Sequence, residues 1–424
     1  MKGIRARLSG NAVIDTLIHL EGNARPCLYL EPLWGIPYNL YLPFVSVYMS
    51  ALGLTPTQIG LLSTLSLVSQ MVWSLLGGVL TDKLGRRLCT LIFDTLSWSV
   101  PTLLWMLARD VRWFAAASIL NGAWRVTETS WGLLLIEDAP ENKLVHLYTI
   151  ASVAGLVAGF AAPLSYAFVQ HSGVVPTMRF LYGLTCVLMT TKFVSLYFLC
   201  KETSVGLRRM AESRGVGILR RLWDGRCVLK TMLHTRRTML AAALIACQAG
   251  MNSVNDAFWP LLVTQKLGVA PENLSIFSTV KTLGTLLCYF LIAPRLDVRR
   301  FRYPVATALV MMGAQQCLML FMPAGAYALV LVSVCLEAVA LSILSPMLTS
   351  LQMLNIDREE RARMLGFFYA MCMLVTSPLS TLAGMAAEIN RALPFAINLC
   401  LTAAALLLTC ALEREGRINA APSA

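Results

Sequence analysis

Long apolar runs separated by short polar intervals dominate this chain. Twelve runs stand out, at approximately residues 30–53, 56–80, 88–108, 111–136, 144–169, 177–200, 238–264, 273–294, 303–323, 325–352, 363–386 and 391–412. A helix rises about 1.5 Å per residue, so a bilayer core needs about 20 mostly apolar residues in helical form. Each run is of that order or longer, and the pattern predicts twelve transmembrane helices, several of them tilted or kinked. The longest polar interval, 201–237, divides them six and six and carries ten Lys or Arg against three acids. The predicted organisation is an N-terminal cytoplasmic segment (1–29), a six-helix bundle (30–200), a basic cytoplasmic linker (201–237), a second six-helix bundle (238–412) and a tail (413–424).

Composition turns that pattern into a class. Of the 424 residues, 57% are hydrophobic and 14% charged, with a mean hydropathy of +0.65. Soluble domains carry about 45–50% apolar and about 25% charged residues, so an ordinary water-soluble enzyme and a disordered chain are excluded. The net charge of +12 would suggest nucleic acid in a soluble protein. Here the basic residues lie between apolar runs, and the expected partner is an anionic lipid surface, with no nucleic acid. With both termini inside, the inner segments hold 27 of the 35 Lys and Arg, and the outer loops hold five: Arg109, Arg112, Arg179, Lys266 and Arg391. That bias predicts cytoplasmic termini and a multi-pass cell-membrane protein. The first thirty residues mix charges and lack the apolar core and cleavage site of a secretory leader. The twelve cysteines are scattered without C-x-x-C or C-x-x-H spacing, and the histidines form no constellation. No disulfide, metal or cofactor is expected.

The halves form a weak repeat. Glu141-Asn142-Lys143 follows the fourth run and Glu359-Glu360-Arg361 the tenth; short basic loops, Asp82 to Arg87 and Arg295 to Arg302, lie between the second and third runs of each half. Repeated halves around a central site are a transporter architecture. The sharpest local signal is Gly78-Val79-Leu80-Thr81-Asp82-Lys83-Leu84-Gly85-Arg86-Arg87. Gly78 would permit close helix approach, Asp82 would sit against a positive helix end, Gly85 would allow a tight turn, and Arg86 and Arg87 would pair with acids or headgroups.

This stretch resembles the signature loop of the major facilitator superfamily, G-x-x-x-D-[RK]-x-G-R-[RK], at every specified position. The second-half counterpart, Arg295-Leu296-Asp297-Val298-Arg299-Arg300, lacks the glycines. The resemblance, to bacterial members of that superfamily, implies an all-α membrane fold of twelve transmembrane helices in two six-helix bundles. It also implies that the loop latches an inner gate, with Asp82 meeting the start of span eleven near Met364 to Gly366. Arg86 should pair with an acid after span four, either Glu137 or Asp138. Span five carries Gly155, Gly159 and Pro163, read as a packing groove with a kink. The export signature with similar spacing ends in Gly-Pro, where this chain has Ala162-Pro163.

Ionisable groups at membrane depth are costly and default to functional candidates. In span four, Asn121, Arg125 and Glu128 share a helix face with Gly132, fit for a polar cavity or a local ion pair. In span seven, Gln248, Asn252, Asn255 and Trp259 share a face and Asp256 stacks on Asn252, bracketed by Gly250 and Pro260. Glu337 lies midway along span ten and competes with Glu128 and Asp256 as a proton carrier. In span one, Tyr38 and Asn39 are cavity candidates beside Trp34 and Tyr41, in a helix made irregular by prolines. The resemblance implies that spans one, four, seven and ten line the cavity. Lys192 and Lys281 are expected to snorkel, and Asp94 to pair with the basic inner loop.

The functional expectation is a secondary active transporter that moves a small solute by alternating access, with protons as the coupling ion and a monomer as the working unit. The alternatives are a multidrug or organic-cation exporter of the same fold and a non-transporting membrane sensor. No nucleotide-binding G-x-x-x-x-G-K-[ST], H-E-x-x-H or G-x-S-x-G motif occurs, which argues against an ATP-driven pump and against an intramembrane enzyme. Substrate and direction are left open by the sequence.

Overall fold

The computed structural model describes residues 20–140, 144–215, 217, 235–292, 301–354 and 361–420, and these contain helices and turns but no strand. A short α1 (Ala24–Tyr29) leads into the first predicted span, which is broken. It comprises α2 (Pro32–Tyr41), a 3-10 turn (Leu42–Phe44) and α3 (Val45–Ala51). Pro37 and Pro43 each remove a backbone donor there. The next helix, α4 (Pro56–Leu84), is continuous. Thr55 and Gln58 form a reciprocal capping box at its start, and Gly85 ends it with φ 82°, a conformation only glycine adopts without strain.

Beyond Gly85, α5 (Arg86–Asp94) and α6 (Val100–Leu107) form one rod joined by a π-turn at Thr95–Ser99. Span four is split into α7 (Val111–Asn121) and α8 (Trp124–Ile136). A Cβ on Gly122 would lie 2.3 Å from Ser69 Oγ, so this break brings backbone against α4. Span five bends between α9 (Leu144–Ala158) and α10 (Leu164–Ser172), and α11 (Val174–Leu199) completes the first half. The linker begins with α12 (Ser204–Glu212). The second half contains α13 (Arg236–Leu261), which ends in a π-turn, then α14 (Asn273–Leu291), α15 (Arg302–Phe321), α16 (Tyr327–Leu354), α17 (Arg361–Ile389) and α18 (Leu393–Ala420).

Eight helices are long and apolar enough to cross a membrane among the described residues. The predicted spans absent from that set are 30–53, 111–136, 238–264 and 273–294. Each is helical but either broken, as in α2–α3 and α7–α8, or carries polar side chains, as in α13 with Asp256 and α14 with Lys281. Many apolar side chains, including Phe198, Phe321, Ile389 and Leu407, are exposed on the outside of the helical body, as lipid contact requires.

The buried apolar residues show how the halves meet. The largest cluster lies at the end of the molecule remote from Gly85 and draws on both halves, with Tyr48, Ile59, Phe114 and Tyr182 beside Phe258, Phe277, Ala383 and Phe395. Near the Gly85 end, the clusters stay within one half: Leu28, Leu134, Leu147 and Leu196 in the first, and Leu244, Leu309, Leu344 and Ala405 in the second. The tightest crossing joins α4 to α17 at the remote end. A Cβ on Gly60 would lie 2.4 Å from Ser380 O, and one on Gly384 would lie 2.7 Å from Pro56 O. Without a hydrophobic driving force in lipid, small residues hold helices together by letting backbones touch. Polar bonds reinforce this crossing: Thr57 with Glu388, and Thr64 Oγ1 to Ser377 O at 2.6 Å. Among the described residues, buried apolar clusters join the halves at the remote end, and near Gly85 each buried apolar cluster stays within one half while α4 and α17 remain in contact.

Candidate functional site: a gate loop and a polar centre

The signature loop is held from its own half. Arg86 is buried, and its guanidinium donates to both Glu137 carboxylate oxygens at 3.0 Å and to Asp82 Oδ1 at 3.2 Å. Such bidentate, charge-assisted pairs fix direction as well as distance. Asp138 accepts instead from Ser204 N and Oγ at 3.2 and 2.9 Å. Asp82 does not cap the positive end of α5. That place is taken by Glu202, whose oxygens accept Arg86 N at 2.8 Å and Arg87 N at 3.0 Å. A carboxylate there meets both the free amides and the helix dipole. Gly85 is needed twice over, because its φ is positive and a Cβ would lie 2.7 Å from Glu202 Oε2.

Arg87 Nε donates to Tyr197 O at 2.6 Å and its guanidinium lies 4.1 Å from the Tyr197 ring centre. Gly78 has open space around it and makes no close approach; Gly77 is the residue that faces α8. The expected contact of Asp82 with Met364 to Gly366 falls on side chains outside the described residues. The start of the linker is more than a solvated connection. Thr203 donates to Glu137, and Ser213 Oγ donates to Asp82 O at 3.0 Å, so α12 is pinned beneath the loop.

In the middle of the first half, Arg125 Nη1 donates to Glu128 Oε2 at 2.8 Å and Nε to Gln70 Oε1 at 3.3 Å. Its guanidinium stacks 4.0 Å from the Trp124 ring and 5.1 Å from Tyr369, a residue of the other half. Glu128 is exposed. Asn121 departs from the shared-face expectation, because the break at Gly122 turns it onto the π-turn, where Nδ2 donates to Ser97 O at 2.7 Å. Asn39 Nδ2 donates to Gly35 O at 2.8 Å on its own helix. Both amides are engaged in bracing irregular helices. Tyr38 is fixed by aromatic packing, stacked on Trp34 at 5.0 Å and edge-on to Trp98 at 5.7 Å.

Two structural expectations fail nearby. Lys192 does not snorkel: it is buried, donates to Glu31 Oε2 at 2.7 Å, and lies between the Trp34 and Trp131 rings. Asp94 does not reach the basic loop; it is buried within electrostatic reach of Lys192 and Glu31 and beside Thr127. A charge inside a dry helix bundle finds the nearest opposite charge when the path to water is blocked.

The second half holds a denser network. Asn255 is buried toward the bundle interior, with Nδ2 donating to Glu337 Oε1 at 3.2 Å and Oδ1 accepting Asn398 Nδ2 at 2.9 Å. Lys281, expected to point toward the outer face, instead donates to Glu337 Oε1 at 2.8 Å. Glu337 is therefore neutralised by a lysine rather than alone in a dry setting. Asn252 Oδ1 accepts Gln248 Nε2 at 3.0 Å. Asp256, next to Asn255 in sequence, takes no part in that network. It is exposed although it lies deep in the helical body, and it is within electrostatic reach of Lys281, Glu337 and Tyr38 of the first half.

Glu202, Glu31, Gln70 and Tyr369 were not among the residues singled out by sequence. Glu202-Thr203 lies directly after a span, where a helix-capping acid is a legible signal; Tyr369 carried none, because an aromatic in an apolar run reads as core.

Residues 35–254, just over half of the chain, match the family described as Major Facilitator Superfamily. The chain belongs to the major facilitator superfamily. Among curated relatives, the multidrug resistance protein MdtG of Serratia proteamaculans (strain 568) is 25% identical over 222 residues, covering 50% of this chain and 52% of MdtG. The chain thus spans about half the length of that relative. Solved structures share the fold over most of the chain. A point mutant of the nucleoside transporter NupG aligns with a TM-score of 0.72 at 12% identity over 92% of this chain and 100% of NupG. A D-xylose–proton symporter aligns at 0.69 with 15% identity, over 91% and 96%. The chain is therefore an integral membrane protein of this superfamily.

Proposed function

We propose that the chain is a secondary active transporter that carries a small solute across the cell membrane by alternating access, with twelve spans in two six-helix bundles. The observation that supports this reading is Asp256, an exposed carboxylate within electrostatic reach of Tyr38 of the other half. It lies below a remote end where buried clusters of both halves join and above an end where each buried apolar cluster stays within one half. That is the arrangement of one terminal state of a rocking cycle, open toward the signature loop. The positive-inside bias makes the loop side cytoplasmic, with both termini there and anionic lipid at its basic margins. Arg125–Glu128 and the Asp256–Lys281–Glu337 group supply the polar contacts, with Asn252 and Tyr38 on the same opening. The working unit is a monomer, since each half completes the other.

Coupling to protons is supported by the acids at the centre and by the likeness to a D-xylose–proton symporter. The similarity to MdtG favours a second reading, an exporter of drugs or organic cations. The test is flux in proteoliposomes across a panel of sugars, nucleosides, amino acids and lipophilic cations, with and without a pH gradient. A cross-link between cysteines placed at Thr57 and Glu388 should stop that flux, and reduction should restore it. Flux that continues through a fully formed cross-link refutes alternating access.

A further inference from the structure

The lead-in to span one and the end of span six are tied together at three successive points. Asn23 Nδ2 donates to Lys201 O at 2.8 Å, and Lys201 N donates back to Asn23 Oδ1 at 2.9 Å. One helical turn along α1, Cys27 Sγ and Cys200 Sγ meet at 4.0 Å, although 173 residues separate them in the chain. One turn further, Glu31 takes the Lys192 ammonium at 2.7 Å. These outer ties hold α1 in register with the end of α11, and that register sets the two sulfurs against each other. Both thiols are free and buried, Cys27 at 0% and Cys200 at 2% exposure. Among the described residues, no other two cysteines are in contact.

The surroundings suit reaction with a small oxidant. Burial shuts out bulky thiol reagents, while exposed Lys201 places water one residue from Cys200. Arg87 lies on the ring of Tyr197, three residues before Cys200, and is within electrostatic reach of Cys200. A guanidinium there favours the thiolate, which is the reactive form. A bond between the sulfurs would close residues 27–200, the whole first bundle, into a covalent ring. It would also fix the root of the linker. Directly after Cys200, Glu202 accepts Arg86 N and Arg87 N, and Thr203 donates to Glu137. The signature loop thus rests on the residues that such a bond would immobilise.

We propose that Cys27 and Cys200 are a peroxide-sensing thiol pair whose disulfide staples the first bundle at the base of the signature loop. The Cys200 thiolate attacks one oxygen of hydrogen peroxide and the O–O bond breaks. The departing hydroxide takes up the proton that Cys200 had released and leaves as water, and Cys200 becomes a sulfenic acid. The Cys27 sulfur then attacks the Cys200 sulfur. Its thiol proton leaves with the hydroxyl as a second water, and the S–S bond forms. The two thiols lose two electrons and the peroxide gains them. A thiol reductant reverses the link, as befits a sensor in a reducing compartment. The chemistry needs only the folded first half and stands apart from the transporter reading.

Peptide mass mapping of the purified full chain in nanodiscs tests it, after reduction, removal of reductant, exposure to hydrogen peroxide and alkylation of the remaining thiols. A Cys27–Cys200 cross-linked peptide should appear, and dithiothreitol should abolish it. The link should form roughly tenfold faster than in the chain unfolded in guanidinium, because the fold holds the sulfurs together. Hydrogen–deuterium exchange should then slow several-fold in peptides covering 20–31 and 200–213 of the oxidised wild type. Peroxide should not slow those peptides in Cys27→Ala or Cys200→Ala. If neither variant folds, the wild type decides, by comparing its oxidised form with the same sample after dithiothreitol. Thiols that stay reduced under peroxide overturn the proposal, as do thiols oxidised separately to sulfinic or sulfonic acids. A link that forms no faster in the folded chain than in guanidinium also overturns it. A link without slower exchange overturns the staple.

Discussion

Gly60→Ala should push the molecule out of the state described here. The added Cβ would lie 2.4 Å from Ser380 O, about 0.6 Å closer than real Cβ atoms approach, with Gly384 Cα at 3.0 Å. The opposing atoms are backbone of α17, so no side chain can swing aside, and α4 and α17 must separate. Overpacking of this kind costs about 1–3 kcal/mol. The clash exists only while the remote end is sealed, so the cost falls on one conformer and shifts the balance toward opening there. An energy of that size changes a two-state ratio by roughly 5- to 150-fold. Hydrogen–deuterium exchange reads the result without new cysteines: peptides covering Thr55–Thr64 and Ser377–Ile389 should exchange faster, while peptides at the Gly85 end should slow or stay constant. Gly78→Ala is the control, since it makes the same change on the same helix into open space. Equal exchange in wild type, Gly60→Ala and Gly78→Ala would refute the claim that this crossing seals the remote end.

Other outcomes follow from single contacts. Glu202→Ala strips two backbone amides of a charged acceptor and should lower stability by about 2–4 kcal/mol, with faster amide exchange at Arg86 and Arg87; Glu202→Gln should recover part of it. Lys192→Met leaves partly buried Glu31 and buried Asp94 without their cation and should cost about 3–5 kcal/mol in thermal unfolding, most of it restored by adding Glu31→Gln. Asn121→Ala should cost about 1 kcal/mol through the lost bond to Ser97 O while leaving solute affinity unchanged; an affinity loss at full stability would return Asn121 to the binding site.

The helical membrane class and the family likeness carried by the Gly78–Arg87 loop were legible in the chain itself. Apolar run length and loop charge act through the bilayer, a solvent that reads sequence locally. Gly85, Arg86 and the acids after span four were legible for a related reason, since a turn and its neighbouring charges lie in short segments with few competing partners. Side-chain direction was not. Asn255 and Asp256 are adjacent, yet one is buried in the second-half network with Glu337 and Asn398 while the other is exposed and outside it. Their roles depend on which helix packs on each side of α13. Lys192 and Lys281 looked free to reach the membrane surface, but their partners, Glu31 and Glu337, are 161 and 56 residues away. Ion pairing in a low-dielectric interior is decided by proximity in space, which only the packed helices create. Sequence therefore determined that this chain spans a membrane as a superfamily member with charges inside it. Tertiary structure decided which of those charges are spent on one another and which one, Asp256, has no ion pair with any described residue.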